Sequence, residues 1–413
     1  MKTLLAFNAE EQSIRDIATT PSIFRGTHKP SVAVLLSSRE KFSPYYGGAL
    51  ARWTYEVYNR LTEEIDATVF GFPTPSEVYP LPHQSSVVWR ACEFVSQIPL
   101  ARRYEEQLWL RALLRRLREF DLVHIHNRPQ WVASLRRMGY QGAILLHLQN
   151  DHLGHWTSQM LDDLASSVDQ VVACSNYLRN CFVLRSPALS AKTDVVFNGV
   201  NRELFFPREA IREPKTIFFA GRLHAEKGVL QLIQAYARVV QAHPDATLVI
   251  AGTTGFGTHQ ETAYVRQLRE LANSVVQNCN GKIQFTDYLH HDRDLPSWFQ
   301  RATIFASPSL FQEPFGLVNA EAMACATPVV GADRGGIPEV LGSTGRLVDP
   351  EDIKSFASTL SALLAKPADC AQLGAAAYER CPKMFDWRVI AERWAALLEH
   401  VVRPKQRLAR VGT

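Results

Sequence analysis

Thr216-Ile217-Phe218-Phe219-Ala220-Gly221-Arg222-Leu223-His224-Ala225-Glu226-Lys227-Gly228 is a short apolar run that breaks on a glycine and leads through a charged loop toward a helix. The run Thr216–Ala220 is near-continuously apolar rather than alternating, as in a strand buried on both faces of a parallel sheet. Gly221 lets the backbone turn tightly against a ligand. Arg222 and Lys227 then bring two positive charges to the start of the next helix, whose own N-terminus favours anions. A diphosphate is the natural guest of such a loop, although two solvated surface cations would read the same way.

The same unit repeats in both directions. Toward the C-terminus come Ala246–Ala251, Lys282–Phe285, Ala302–Phe305, Pro328–Gly331 and Arg346–Val348. Toward the N-terminus lie Val32–Leu36, Ala67–Phe70, Leu122–Ile125, Ala143–Leu148, Gln170–Ala173 and Asp194–Phe197. Helical patterns separate these runs, which predicts an α/β chain of βαβ units in doubly wound sheets. Between the two sets, the polar segment Phe206 to Pro214 carries Pro207 and Pro214 near its ends and reads as a linker. The expected layout is an extension over 1–28, a Rossmann-like domain over 29–205, the linker 206–214, a second Rossmann-like domain over 215–385, and a final helical stretch 386–413 returning to the first domain. Two such domains facing each other leave a cleft outside the carboxyl ends of their strands, where doubly wound proteins bind ligands.

Composition narrows the classes. The 413 residues carry a net charge of +4, too mild and too scattered for a nucleic-acid binder with its concentrated basic stripe. No apolar run approaches the ~20 residues that span a bilayer. The stretch Met1 to Phe7 lacks the apolar length and cleavage pattern of a signal peptide, so a cytoplasmic protein is expected. Seven cysteines (Cys92, Cys174, Cys181, Cys279, Cys325, Cys370, Cys381) are scattered without a C-x-x-C pair, which argues for buried thiols rather than disulfides or a zinc site.

A second chemical segment follows Ala302–Phe305. It reads Ser307-Pro308-Ser309, then Glu313-Pro314-Phe315-Gly316-Leu317-Val318-Asn319-Ala320-Glu321. Glu313 sits in a loop and Glu321 about two turns later on the helix that Gly316 begins. Carboxylates are good acceptors for the vicinal hydroxyls of a hexose or ribose, and the amides near Gly316 and Leu317 add donors. Two glutamates around a helix start are commonplace by themselves. In the N-terminal half, Tyr46-Gly47-Gly48-Ala49 follows the first strand and opens a helix, so its glycines permit close approach of a phosphate or sugar, or simply a turn. The strand Ala143–Leu148 runs into His147-Leu148-Gln149-Asn150-Asp151-His152.

Taken together these motifs resemble the family-4 glycosyltransferases. The stretch Gly221 to Gly228, Glu313 with Glu321, and Gly335-Gly336-Ile337-Pro338-Glu339 occur in that family in the same order, densely in the C-terminal half and sparsely in the N-terminal half. The phrases His124 to Pro129 and Leu146 to His152 are similar to a bacterial branch that includes spore-coat and cell-surface polysaccharide enzymes. The resemblance implies the GT-B fold and a retaining glycosyltransferase that needs no metal or other cofactor. It would take a nucleotide-sugar donor, with a UDP-sugar the first expectation, and a glycan or lipid-linked acceptor. By resemblance Arg222 and Lys227 bind the donor diphosphate, and Glu313 and the backbone of Phe315, Gly316 and Leu317 contact the transferred sugar. Glu321 takes the ribose, the Gly47-Gly48 loop lies near the donor, and His147 orients donor sugar or acceptor. A core histidine would look the same as His147 in sequence. A nucleotide-sugar epimerase of the same fold, or a non-catalytic nucleotide- or sugar-binding protein, are the rival readings.

Other signals carry less. Asp292-Arg293-Asp294 is a D-x-D, but it precedes Leu295-Pro296-Ser297-Trp298 and reads better as a helix N-cap. The pairs His124/His126 and His152/His155 have no matching carboxylate or cysteine pattern, so no metal site is expected. Gly252-Thr253-Thr254-Gly255-Phe256-Gly257 has the wrong spacing for a dinucleotide fingerprint. The arginine-rich pattern over 101–120 would suit peripheral membrane contact or an ordinary helix packed on its sheet.

Overall fold

The computed structural model describes residues 29–36, 40–44, 47–72, 74, 77–85, 104–208, 211–255, 261–279 and 281–411. Outside them lie the expected extension 1–28 and Tyr46, Cys92, Arg102, Arg103, Phe256 and Gly257. The chain divides into two compact units, residues 1–198 with 387–413, and residues 199–386.

The first unit is a seven-stranded sheet of β1 (Ser31–Leu35), β2 (Asp66–Gly71), β3 (His83–Ser85), β4 (Leu122–His126), β5 (Ala143–Leu148), β6 (Gln170–Ala173) and β7 (Thr193–Val195). Its order is β3-β2-β1-β4-β5-β6-β7, and every pairing is parallel. The second unit has six strands, β8 (Thr216–Ala220), β9 (Thr247–Ala251), β10 (Lys282–Thr286), β11 (Ile304–Ser307), β12 (Val329–Ala332) and β13 (Arg346–Val348), in the order β10-β9-β8-β11-β12-β13. These pairings are parallel as well. In both sheets the order reverses beside the first strand, between β1 and β4 and between β8 and β11, the switch point at which such sheets take ligands. The strands β1, β4, β5, β8, β11 and β12 are almost wholly buried, which is why their sequences run apolar without alternation.

The final helix, Trp387–Val411, belongs to the first unit, where Trp394 Nε1 donates to the Tyr58 hydroxyl at 3.2 Å. The segment 206–214 is not a free connector. The division falls at Asn198/Gly199, and the Arg212 guanidinium donates to the Ala302 carbonyl at 2.6 Å while Glu213 pairs with Arg301 at 2.7 Å. Val200 bridges Asp386 and its N–H donates to the Phe385 carbonyl at 2.7 Å, which fastens the start of the second unit to its end. Arg212 and Glu213 of the expected linker are thus fixed to the second unit, Arg212 by a carbonyl acceptor and Glu213 by the Arg301 guanidinium. Within the arginine-rich pattern, the helix Glu105–Leu117 buries Trp109, Leu110, Leu113 and Leu117 and leaves Arg111, Arg115 and Arg116 exposed. Its apolar face is therefore engaged inside the first unit. Among the described residues no helix is long and apolar enough to cross a membrane.

Candidate functional site

The second unit concentrates chemistry in the loops after β8, β9, β10 and β11. The β8 loop and the β11 loop are stitched together by backbone. Leu310 and Phe311 N–H groups both donate to the Glu226 carbonyl, at 2.8 and 3.1 Å, and the buried Ser309 hydroxyl adds a third bond at 3.3 Å. Gly228 makes this possible. Its φ is +71°, and a Cβ there would sit 1.8 Å from the Pro308 carbonyl oxygen, so only glycine lets the two loops approach.

That stitching brings Lys227 onto Glu313. The ammonium and carboxylate form an ion pair with 19% and 17% of their side chains exposed, and Ser309 Oγ donates to the same carboxylate oxygen at 3.0 Å. The loop holding Glu313 is clamped from the other side: the Gly336 N–H donates to the Glu313 carbonyl at 2.7 Å, and the Gly335 N–H donates to Gln312 Oε1 at 2.7 Å. Gly335 has φ +62°, and a Cβ would lie 2.2 Å from that Glu313 carbonyl oxygen. Gly335 and Gly336 thus hold Glu313 in place. Phe315 is buried against Phe385, which leaves its backbone, with Gly316 and Leu317, as the part that can face a ligand. The helix Leu317–Ala324 starts there after Gly316, and its first amides have no intrahelical acceptors. Arg222 is half exposed and only loosely paired, 3.5 Å from Glu226.

Beside Arg222 lies a pocket of about 220 Å³ lined by Gly221, Arg222, Gly252, Thr253, Gly255, Tyr288, Leu289, His291 and Val318, among others. The Gly252–Gly255 stretch thus lines a cavity although its spacing is no dinucleotide fingerprint. Glu321 reaches this pocket indirectly. It is only 2% exposed, and its Oε1 bonds His291 Nε2 at 2.6 Å while His291 Nδ1 meets Asp292 Oδ1 at 2.7 Å. Glu321 Oε2 has no partner among the described residues, an acceptor held ready for a hydroxyl. His291, Ser309 and the Asp292–His291–Glu321 chain went unseen in the sequence, where the D-x-D drew attention to its aspartates alone. Asp294 does stand at the N-cap of the helix Leu295–Arg301, but its side chain makes no cap bond there and instead accepts from the His290 N–H at 3.0 Å and pairs with Arg293.

In the first unit, the Gly47-Gly48 turn and His147 are both held by packing. At the Gly47-Gly48 turn, the Glu40 carboxylate accepts from the Gly48 N–H at 2.7 Å and from the Ala51 N–H at 3.3 Å. The start of the helix Ala49–Tyr58 thus already carries a carboxylate at its amides. Burial raises the pKa of Glu40 above its ordinary value against the pull of these amides. A Cβ on Gly47 would fall 2.4 Å from the Ser43 carbonyl oxygen, so close packing accounts for this glycine. His147 is fully buried and boxed by Trp53, Trp394 and His126, with ring centroids at 4.4, 5.2 and 5.0 Å. Enclosed in this way, the ring has no face open to solvent. Gln149, two residues on and half-buried, contacts His147 Nε2 at 3.0 Å.

Comparison with known proteins accords with this arrangement. The model for "Glycosyl transferases group 1" matches residues 201–380, and that for "Glycosyltransferase Family 4" matches residues 46–204. Spore coat protein SA of Bacillus subtilis (strain 168) is 28% identical over 389 residues, covering 89% of this chain and 99% of that protein. Alpha-maltose-1-phosphate synthase of Mycobacterium tuberculosis (strain ATCC 25618 / H37Rv) is 30% identical over 311 residues, covering 66% of this chain and 77% of that one. Among solved structures, Anabaena Alr3699/HepE in complex with UDP superposes with a TM-score of 0.70 at 21% identity, over 90% of this chain and all of that one. Sucrose-phosphate synthase from Thermosynechococcus elongatus gives 0.66 at 22%, over 91% of this chain. At such identities the structures speak to the fold alone, two doubly wound units of the GT-B class.

Proposed function

This chain belongs to the family-4 glycosyltransferases, and we propose that it transfers a sugar, with retention at the anomeric carbon and without a divalent metal, from a UDP-sugar held by the second unit to a glycan or lipid-linked acceptor. The observation that carries this reading is the loop cluster in which Arg222, the Lys227–Glu313 pair and the His291–Glu321 pair share one strand-end edge of the second sheet. The relative from Anabaena was solved with UDP and with UDP-glucose, which supports the same donor class here.

The roles follow from exposure and charge. The pocket beside Arg222 takes the nucleoside, and Glu321, buried behind His291, accepts from a ribose hydroxyl when that ring gives way. Arg222, Lys227 and the amides at Gly316 and Leu317 meet the diphosphate, and Glu313 accepts from the sugar hydroxyls. Glu313 is already committed to Lys227 and Ser309, so it is a poor nucleophile, and front-face attack through an oxocarbenium-like state is favoured. The bond from the anomeric carbon to the phosphate oxygen breaks, and the bond to the acceptor oxygen forms on the same face. The acceptor proton passes to the leaving diphosphate. Arg222 and Lys227 stabilise the charge growing on that group, the kind of preorganised electrostatic effect that dominates many enzymes.

The test is nucleoside diphosphate release from a panel of nucleotide sugars in EDTA, with and without acceptor, and the anomeric configuration of the product by NMR. Acceptor-dependent release with retention is expected. Release without any need for acceptor would favour an epimerase-like chemistry, absence of release a binding protein, and rescue by magnesium or manganese would return Asp292 and Asp294 as metal ligands.

A further inference from the structure

A second constellation lies inside the first unit. His124 and His126 are two residues apart on β4 and so point to the same face of the sheet. On the neighbouring strand β5, His147 stands in register opposite His126. All three imidazoles are completely buried, and one nitrogen of each lies within 4.8 Å of the other two. Trp53, from the helix Ala49–Tyr58, and Trp394, from the final helix, close over the rings.

The hydrogen bonding of the rings is lopsided. On the outer side, His124 Nδ1 meets the Tyr58 hydroxyl at 2.9 Å, His126 Nε2 meets Thr54 Oγ1 at 3.0 Å, and His147 Nε2 meets Gln149. The remaining nitrogens, His124 Nε2, His126 Nδ1 and His147 Nδ1, are buried and have no partner among the described residues. Three orphaned buried nitrogens on neighbouring rings are costly unless something binds them. Thr54 Oγ1 gives its own proton to the Leu50 carbonyl at 2.8 Å, so it must accept from His126 Nε2–H. That fixes the tautomer and leaves His126 Nδ1 with a free lone pair. Neutral imidazole is the form that binds a metal.

We propose that His124, His126 and His147 form a three-histidine site for a borderline divalent transition metal, Zn²⁺ first, that pins β4 and β5 beneath the helices carrying Trp53 and Trp394. Three imidazoles without a carboxylate or thiolate suit zinc in a tetrahedral set with one further position. At Zn–N lengths of about 2.0–2.1 Å the nitrogens sit about 3.3 Å apart, so the rings close inward by on the order of an ångström. Thr54 supplies the outer hydrogen bond that orients a metal-binding His126, and the Tyr58 hydroxyl, which accepts from Trp394 Nε1, takes the His124 Nδ1–H on its second lone pair when Nε2 holds the metal. Gln149 meets His147 through its amide nitrogen, and a half-turn of that amide presents Oε1 as the acceptor that the metal-bound ring needs. No step of sugar transfer passes through this site. Its effect is on stability, since a metal that binds only the folded state adds its binding energy to folding.

The full chain, produced in zinc- or cobalt-supplemented medium, should carry one metal per chain by elemental analysis. The cobalt form should show the intense visible bands of a tetrahedral site, and X-ray absorption of the zinc form a shell with three nitrogen scatterers of imidazole type. His126→Gln should lose the metal. Gln149→Leu, which leaves the three rings in place, should weaken retention about 10- to 100-fold, so the proposal stays testable if the buried variant fails to fold. His152→Gln/His155→Gln should retain the full complement. Absence of metal after refolding with zinc or cobalt, an oxygen-only or octahedral shell, or loss of the metal in the His152/His155 variant would each overturn the assignment.

Discussion

Replacing Arg222 by Ala separates chemistry from anchoring more cleanly than any other change in the second unit. Its guanidinium side chain is 54% exposed and its ion pair to Glu226 spans 3.5 Å. A rim pair of that kind contributes at most ~1 kcal/mol to stability, so the variant should fold and melt like the parent. The charge on the leaving diphosphate grows as the glycosidic bond breaks, so a cation facing it interacts more strongly in the transition state than in the ground state. Losing one preorganised donor costs ~2.7–4 kcal/mol of barrier, roughly a hundred- to a thousand-fold in kcat. Donor affinity should fall much less, because Lys227 and the loop amides still hold the phosphates. Lys227→Ala should show the same rate loss with an added penalty in stability, because it leaves the largely buried Glu313 carboxylate with only Ser309. The assay is kcat, KM and donor Kd for both variants at fixed ionic strength, since exposed charge effects are screened by salt. An unchanged kcat with KM raised in proportion to Kd would mean that the cations merely anchor the donor, and the leaving-group argument would fail.

Three further outcomes follow from the geometry. Glu321→Gln keeps the volume of a buried side chain but removes the charged acceptor, and should weaken nucleoside diphosphate binding by ~1.5–3 kcal/mol; calorimetry showing parental affinity in a folded variant would remove Glu321 from the site. Gly335→Ala forces a side chain into φ +62° and against the Glu313 carbonyl, at a cost of ~1–3 kcal/mol, and denaturant unfolding should register it as a lowered midpoint; an unchanged midpoint would show that the clamp is slack. Burial pushes the thiol pKa of Cys370 up to about 11 and that of Cys381 up to about 12, so at pH 8 both stay protonated. They should resist a thiol reagent until the chain is unfolded, whereas rapid labelling of either in the native protein, located by peptide mapping, would contradict their burial.

The strands were legible because a parallel sheet covered on both faces writes itself as unbroken apolar runs, and β5 and β6 match the runs at Ala143 and Gln170 residue for residue. β3 was missed because His83-Gln84-Ser85 is a short polar strand at a sheet edge, with no apolar pattern to see. The loop glycines and the Arg222, Lys227 and Glu313 cluster were visible because they are local in sequence. The packing of His147 was not legible because a strand-end position does not say which face a side chain takes. The register with β4 turns it toward His126, and only that non-local pairing shows it. The Glu40 bonds to the helix at Ala49 and the His291–Glu321 pair span 8 to 30 residues, beyond the reach of any periodicity.

The most direct test of the account is hydrogen exchange of the intact protein with and without a saturating UDP-sugar in EDTA. Amides over 221–228, 289–292 and 313–321 should slow together, because those loops close on the nucleotide, the diphosphate and the sugar. Tight UDP-sugar binding with exchange in these loops unchanged, and protection confined to the first unit, would place the donor elsewhere and contradict the central claim.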